Sequence, residues 1–200
     1  QIAMFHTFFN VACTVMFLPF CGAFVRVSEL LIREKKAEEP LSFLDERMLS
    51  SSSLAIAQLE KELLRLSDTA MEAFRTGFRS FQTRDRSLIA PTQELIERTG
   101  GISQGMVGYM IRLSAKSKVA EERSITNLHS NLGDIMRIAE IADNCTKYTQ
   151  KAMDQELVFS ETVQEDLTRM AGRVEALYQL TKRAILEKDQ ALLPQVAAVE

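Results

Sequence analysis

Tryptophan is absent from the 200 residues, and only 4 prolines and 8 glycines interrupt them. So few turn-forming residues over such a length argue against a fold of many short strands and favour long helices. Histidine occurs twice, at His6 and His129, and cysteine three times, at Cys13, Cys21 and Cys145. Three cysteines with no CxxC pair imply no disulfide framework and fit a reducing compartment. A basic excess is missing too. The formal net charge is −3 with both signs mixed along the chain, so no nucleic-acid partner is indicated. Nor is there a nucleophile elbow, a paired-cysteine site or a phosphate-binding loop. Acidic pairs such as Glu94 with Glu97 and Glu121 with Glu122 are spaced as helix surface charges. The chain therefore reads as a non-enzyme.

One absence is local. No Asp, Glu, Lys or Arg occurs between Gln1 and Val25; Arg26, Arg33, Lys35 and Lys36 come after. An uncharged run of this length exceeds the roughly 20 residues that span a hydrocarbon core. A signal peptide would carry its basic residues ahead of the apolar region, not after it. The spacing thus predicts a terminal transmembrane segment over residues 1–33, with the remainder of the chain in the cytoplasm under the positive-inside tendency. The plainer alternative is a buried core helix. His6 and Asn10 lie four residues apart and share one helix face. At membrane depth such a face turns towards neighbouring helices or a water-filled pathway. Pro19 is expected to kink or break the helix.

What is present in quantity is apolar residue, 46% of the chain. Residues 34–50 read as a linker: Pro40 disfavours helix before it, and Ser42 with Asp45 could cap a short helix holding Phe43 and Leu44. Residues 51–200 carry four long segments with apolar residues at spacings of three and four. They hold Ile56 to Phe81, Leu95 to Leu113, Ile125 to Ala142 and Val163 to Leu177. Gln82–Arg86, Ala115–Ser117 and Leu157–Ser160 are the expected turns, making successive helices antiparallel. Gly100, Gly101, Gly105 and Gly108 predict either a break near Gly100 or a close helix approach. A fifth element starts near Asp189, with Pro194 early in it. The fourth segment reads as the opening of a second copy of a three-helix unit, with the chain cut at both ends. The fold class is therefore all-α: one N-terminal membrane helix, then an antiparallel bundle of long helices.

Two groups of residues carry a resemblance. His6-Thr7-Phe8-Phe9-Asn10 followed by Phe17-Leu18-Pro19-Phe20, and then Leu44-Asp45-Glu46-Arg47 ahead of Leu54-Ala55-Ile56-Ala57, resemble the last membrane segment and linker of bacterial-type sodium/phosphate cotransporters. The stretch Gly133-Asp134-Ile135-Met136-Arg137-Ile138-Ala139-Glu140-Ile141-Ala142-Asp143-Asn144 is similar to the signature of PhoU domains, which are bundles of three-helix repeats. The resemblance implies the C-terminal part of a sodium-dependent inorganic phosphate symporter, multi-pass in the inner (plasma) membrane, with a PhoU-like regulatory bundle in the cytoplasm. Sodium and phosphate would be the partners of a transport domain upstream; their binding residues are not in this chain. A homo-oligomer is left open. PhoU proteins can also hold metal through acidic residues one helical turn apart. Here Met136 replaces the first acid of that motif, but Glu140 and Asp143 leave a carboxylate pair that could take a divalent or ferric ion. The default reading of the same residues, with His129 nearby on the stripe, is a solvated acidic face. The alternative to the transporter reading is a membrane-anchored helical signalling or scaffold protein that transports nothing.

Overall fold

The computed structural model describes residues 2–20, 22, 26, 27 and 44–199. Among them every regular element is helical and there is no strand. The chain divides into two units, residues 1–38 and 39–200.

The first unit contains α1, Ile2–Phe17, followed by a 3-10 turn at Leu18–Phe20. Pro19 accounts for that change: it has no N–H to donate, and its ring collides with the carbonyl four residues back. The described large apolar side chains along α1 are exposed, Met4, Phe8 and Val15 by 79%, 74% and 69%. Sixteen residues at about 1.5 Å each give roughly 24 Å, short of the ~30 Å of a bilayer core. The expected membrane helix over residues 1–33 is therefore not seen as such: among the described residues no helix is long and apolar enough to cross a membrane. Most of its second half, and residues 34–43 of the expected linker, lie outside the described residues.

The second unit is a bundle of α2 (Ser52–Thr83), α3 (Ile89–Ser114) and α4 (Val119–Asp154), with α5 (Glu161–Glu187) and a short α6 (Leu193–Val199) after it. The chain enters through a 3-10 turn, Glu46–Ser50, whose N-cap Asp45 accepts the Arg47 N–H. Leu44 and Leu49 tuck into the core beside it, and the buried Tyr109 of α3 donates its hydroxyl to the Asp45 carbonyl at 3.2 Å. Each of the first three helices buries part of the stripe its three-and-four spacing predicts, while Phe74, Phe78 and Phe81 of α2 are only half-buried. Leu59 and Leu66 of α2 meet Met106, Tyr109 and Leu113 of α3 and Leu128 and Leu132 of α4.

That wide, large-residue end gives way to a narrow one. There α2 presents Ala70, Ala73, Gly77 and Ser80, α3 presents Thr92 and Thr99, and α4 presents Ala139, Ala142, Thr146 and Thr149, all buried. The buried threonine hydroxyls donate to backbone carbonyls three or four residues back, as Thr99 does to Leu95 and Thr149 to Cys145, so small polar side chains sit inside without loss. Gly77 marks the tightest contact: a Cβ there would stand 2.9 Å from the Ala142 carbonyl oxygen and 3.1 Å from Thr92 Cγ2. The glycines flagged in the sequence behave differently. Helix α3 runs unbroken through them, Gly100 has open space beside it, and Gly108 faces only the Arg112 side chain. Neither expected role applies to those two.

The turns fall where the punctuation placed them. The turn from α2 to α3 recurs after α5. Arg84 takes a left-handed conformation (φ 55°) and donates its N–H to the Ser80 carbonyl; Asp85 does the same and then caps a 3-10 turn at Arg86–Leu88. Lys188 (φ 53°) and Asp189 both donate to the Ala184 carbonyl, Asp189 accepts the Ala191 N–H, and a 3-10 turn at Gln190–Leu192 leads into Pro194. The offset that carries Arg84 onto Lys188 also carries the Glu62–Arg65 ion pair onto Asp166–Arg169, and Leu59, Leu66 and Ala70 onto Val163, Met170 and Val174. The fourth segment thus repeats the first in side-chain register and exit geometry. The difference is burial: α5 contains no buried residue.

Candidate functional site

Helix α5 lies antiparallel to α2 along a polar seam. Contacts recur every seven residues on both helices, so each heptad of one returns to the same face of the other. The Gln82 amide donates to Thr168 Oγ1 at 2.8 Å. One heptad on, the Arg75 guanidinium grips Glu175 with two bonds, Nε to Oε2 at 2.8 Å and a terminal nitrogen to Oε1 at 2.7 Å. A heptad further, Lys182 pairs with Asp68. Tyr178 fills the space between the two ion pairs. Its hydroxyl donates to Asp68 Oδ1 at 2.7 Å and stands 3.1 Å from Ser67 Oγ, while Arg75 lies 5.9 Å from its ring centre.

The electrostatics result from this crowding. Burial by itself would raise the Asp68 carboxyl, but hydrogen bonds from Lys182 and Tyr178 and the charges of Lys182 and Arg75 outweigh it and hold Asp68 below the usual carboxylate value. The Arg75 fork lowers Glu175 in the same way, and Glu175 in turn raises Arg75. Tyr178 is pushed up to about 12, by burial first and then by the negative Asp68 that accepts its hydrogen bond. The arrangement holds two carboxylates charged and one phenol neutral, which suits a clamp and supplies no free base or nucleophile.

Beside the seam an apolar groove of about 360 Å³ opens between α2, α4 and α5. Leu63 and Met71 of α2, Ile135 and Ile138 of α4, and Leu177 and Ile185 of α5 line it. The seam ends at the connection from α4 to α5, residues 155–160. Phe159 there rests on Phe81 with ring centres 5.5 Å apart, and the Arg84 guanidinium donates to the Leu157 carbonyl.

The residues singled out from the sequence lie elsewhere. His6 and Asn10 are exposed on α1, one turn apart as expected, with the Asn10 carbonyl accepting from Thr14. On α4, His129 and Glu140 are exposed, Met136 and Asp143 half-buried, and Asp143 pairs with Lys147 at 2.6 Å. Among the described residues no three His, Cys, Asp or Glu side chains gather as a metal site would require. Glu140 is exposed, and Asp143 already has a lysine for a partner. The seam residues are hidden in the sequence because charged residues far apart in the chain read as solvated faces. The one signal they carry is heptad spacing, Asp68, Arg75 and Gln82 on one helix and Thr168, Glu175 and Lys182 on the other.

No family model, no curated protein and no solved structure matches this chain.

Proposed function

We propose that this chain is the C-terminal part of a sodium-dependent inorganic phosphate symporter, in which a cytoplasmic PhoU-like helical bundle regulates a multi-pass transport domain in the plasma membrane. The observation that carries this reading is an order of features along the chain. An uncharged run with His6, Asn10 and Pro19 is followed by basic residues and the Leu44-Asp45-Glu46-Arg47 turn, and then by a helical bundle. The exposed apolar side chains of α1 support it, since lipid or neighbouring helices would cover them at membrane depth. The repeated register of α2 and α5 also supports it, because the PhoU resemblance implies repeated three-helix units. In this reading the bundle biases transport through the linker, which requires contacts that differ between two states of the transporter.

The test is sodium-dependent phosphate uptake by cells expressing the complete gene product, compared with a form lacking everything from Leu54 onward. Uptake that persists but no longer responds to phosphate supply is the expected result. Complete loss of uptake by a correctly inserted protein would count against a regulatory bundle, and no sodium-dependent uptake by either form would favour the anchored signalling protein.

A further inference from the structure

We propose that α5 is a hinged arm, held on α2 by a heptad-spaced polar clamp, which salt releases while the three-helix core stays folded. The proposal stands on the bundle's geometry and does not depend on the transport reading. Three observations carry it together.

First, the main apolar cluster is built without α5. Every described member of the contiguous buried apolar cluster lies between Leu44 and Leu132, and α5 contributes no buried residue at all. Secondly, beside the apolar side chains that line the groove, the contacts that fix α5 on α2 are charged and hydrogen-bonding: Gln82 to Thr168, Arg75 to Glu175, and Asp68 to both Lys182 and Tyr178. The side chains of both ion pairs keep between 29% and 48% of their surface exposed, so dissolved ions reach them and screen them. Thirdly, a pivot is present. Between α4 and α5 the chain passes through Glu156 in a left-handed conformation (φ 51°), and this connection has its own anchors, Phe159 on Phe81 and Arg84 on the Leu157 carbonyl. The arm can therefore swing with its root held. Its departure uncovers Leu63, Met71, Ile135 and Ile138, turning a half-open groove into an open apolar face.

The experiment is amide hydrogen exchange by mass spectrometry on the full 200-residue chain at roughly 0.05 M and 1 M sodium chloride, which brackets strong and weak screening. A released helix of this length loses protection, because isolated helices are marginal in water. High salt is expected to speed exchange in peptides of residues 161–187 about tenfold, the combined effect of two weakened surface ion pairs. Peptides from residues 102–113 and 125–139 should be unchanged. The double substitution Asp68→Asn with Glu175→Gln should give the fast α5 exchange already at low salt and abolish the salt response. Glu187→Gln, which removes only the Arg183 pair within α5, should keep that response. The proposal is overturned if α5 exchange is indifferent to salt, or if α5 and the core lose protection in step. It is equally overturned if the double variant behaves as the parent chain. Core peptides in the same spectra report whether each variant is folded, so a misfolded variant is not mistaken for release.

Discussion

Replacing Gly77 by alanine tests the narrow end of the bundle most directly. Inside a helix, Gly→Ala ordinarily stabilises by about 1 kcal/mol through propensity and a less flexible unfolded chain. At Gly77 the new Cβ would sit 2.9 Å from the Ala142 carbonyl oxygen, which is helix backbone and cannot rotate aside, and 3.1 Å from Thr92 Cγ2. Relief requires α2 and α4 to part locally by about 0.5 Å, enough to forfeit a quarter or more of each neighbouring dispersion contact. Overpacking of this kind costs about 1–3 kcal/mol. The net expectation is a loss of up to about 2 kcal/mol. Gly133→Ala on α4 is the control, since nothing lies within 4 Å of a Cβ there and the propensity gain should appear undiminished. Urea unfolding followed by circular dichroism at the helix band gives both values, and the two substitutions should carry opposite signs. If Gly77→Ala stabilises as much as Gly133→Ala, the close approach of α2 to α4 is wrong.

Burial and charge give two further outcomes. Leu66→Ala should cost about 2–5 kcal/mol, because Leu66 is fully buried. Met170→Ala, the corresponding position of α5 and 57% exposed, should change stability by no more than about 0.5 kcal/mol in the same urea assay. Tyr178 supplies a pH signature. Its folded value is raised to about 12, so the stability it contributes is complete below the unfolded tyrosine value and is lost as pH climbs from there through 12. Ultraviolet titration should show late ionisation of both Tyr178 and the buried Tyr109, and in Asp68→Asn only the Tyr178 transition should move down, since its neighbouring negative charge is gone; an unchanged titration would disprove that coupling.

How much of the fold is legible in the sequence depends on range. Helices and turns are, because spacings of three and four and the few turn residues act within a handful of positions. Asp85 and Asp189 announce their turns through their own side-chain bonds. The partners of a face are not legible. Gly100, Gly108 and Gly77 look alike as letters, and only the approach of α4 separates the one that must be glycine from the two that need not be. The polar seam is hidden for the same reason: Arg75 and Glu175 are exposed-looking charges until the antiparallel register of α2 and α5 sets them face to face. In the candidate metal stripe, Asp143 has a local partner in Lys147 four residues away, a spacing that is readable and that favours a surface ion pair.

The confinement of the main apolar cluster to Leu44–Leu132 has a consequence for how the molecule is made. Its members come from helices adjacent in sequence, joined by short turns, and such local contacts form quickly. Translation adds about 5–20 residues per second, so α2, α3 and α4 have on the order of seconds to assemble before α5 is complete. The arm is then laid onto a finished platform. Errors in α5 should leave behind a folded three-helix product with an uncovered groove, a species that proteases would trim at residues 155–160 and chaperones would find by its leucines and isoleucines.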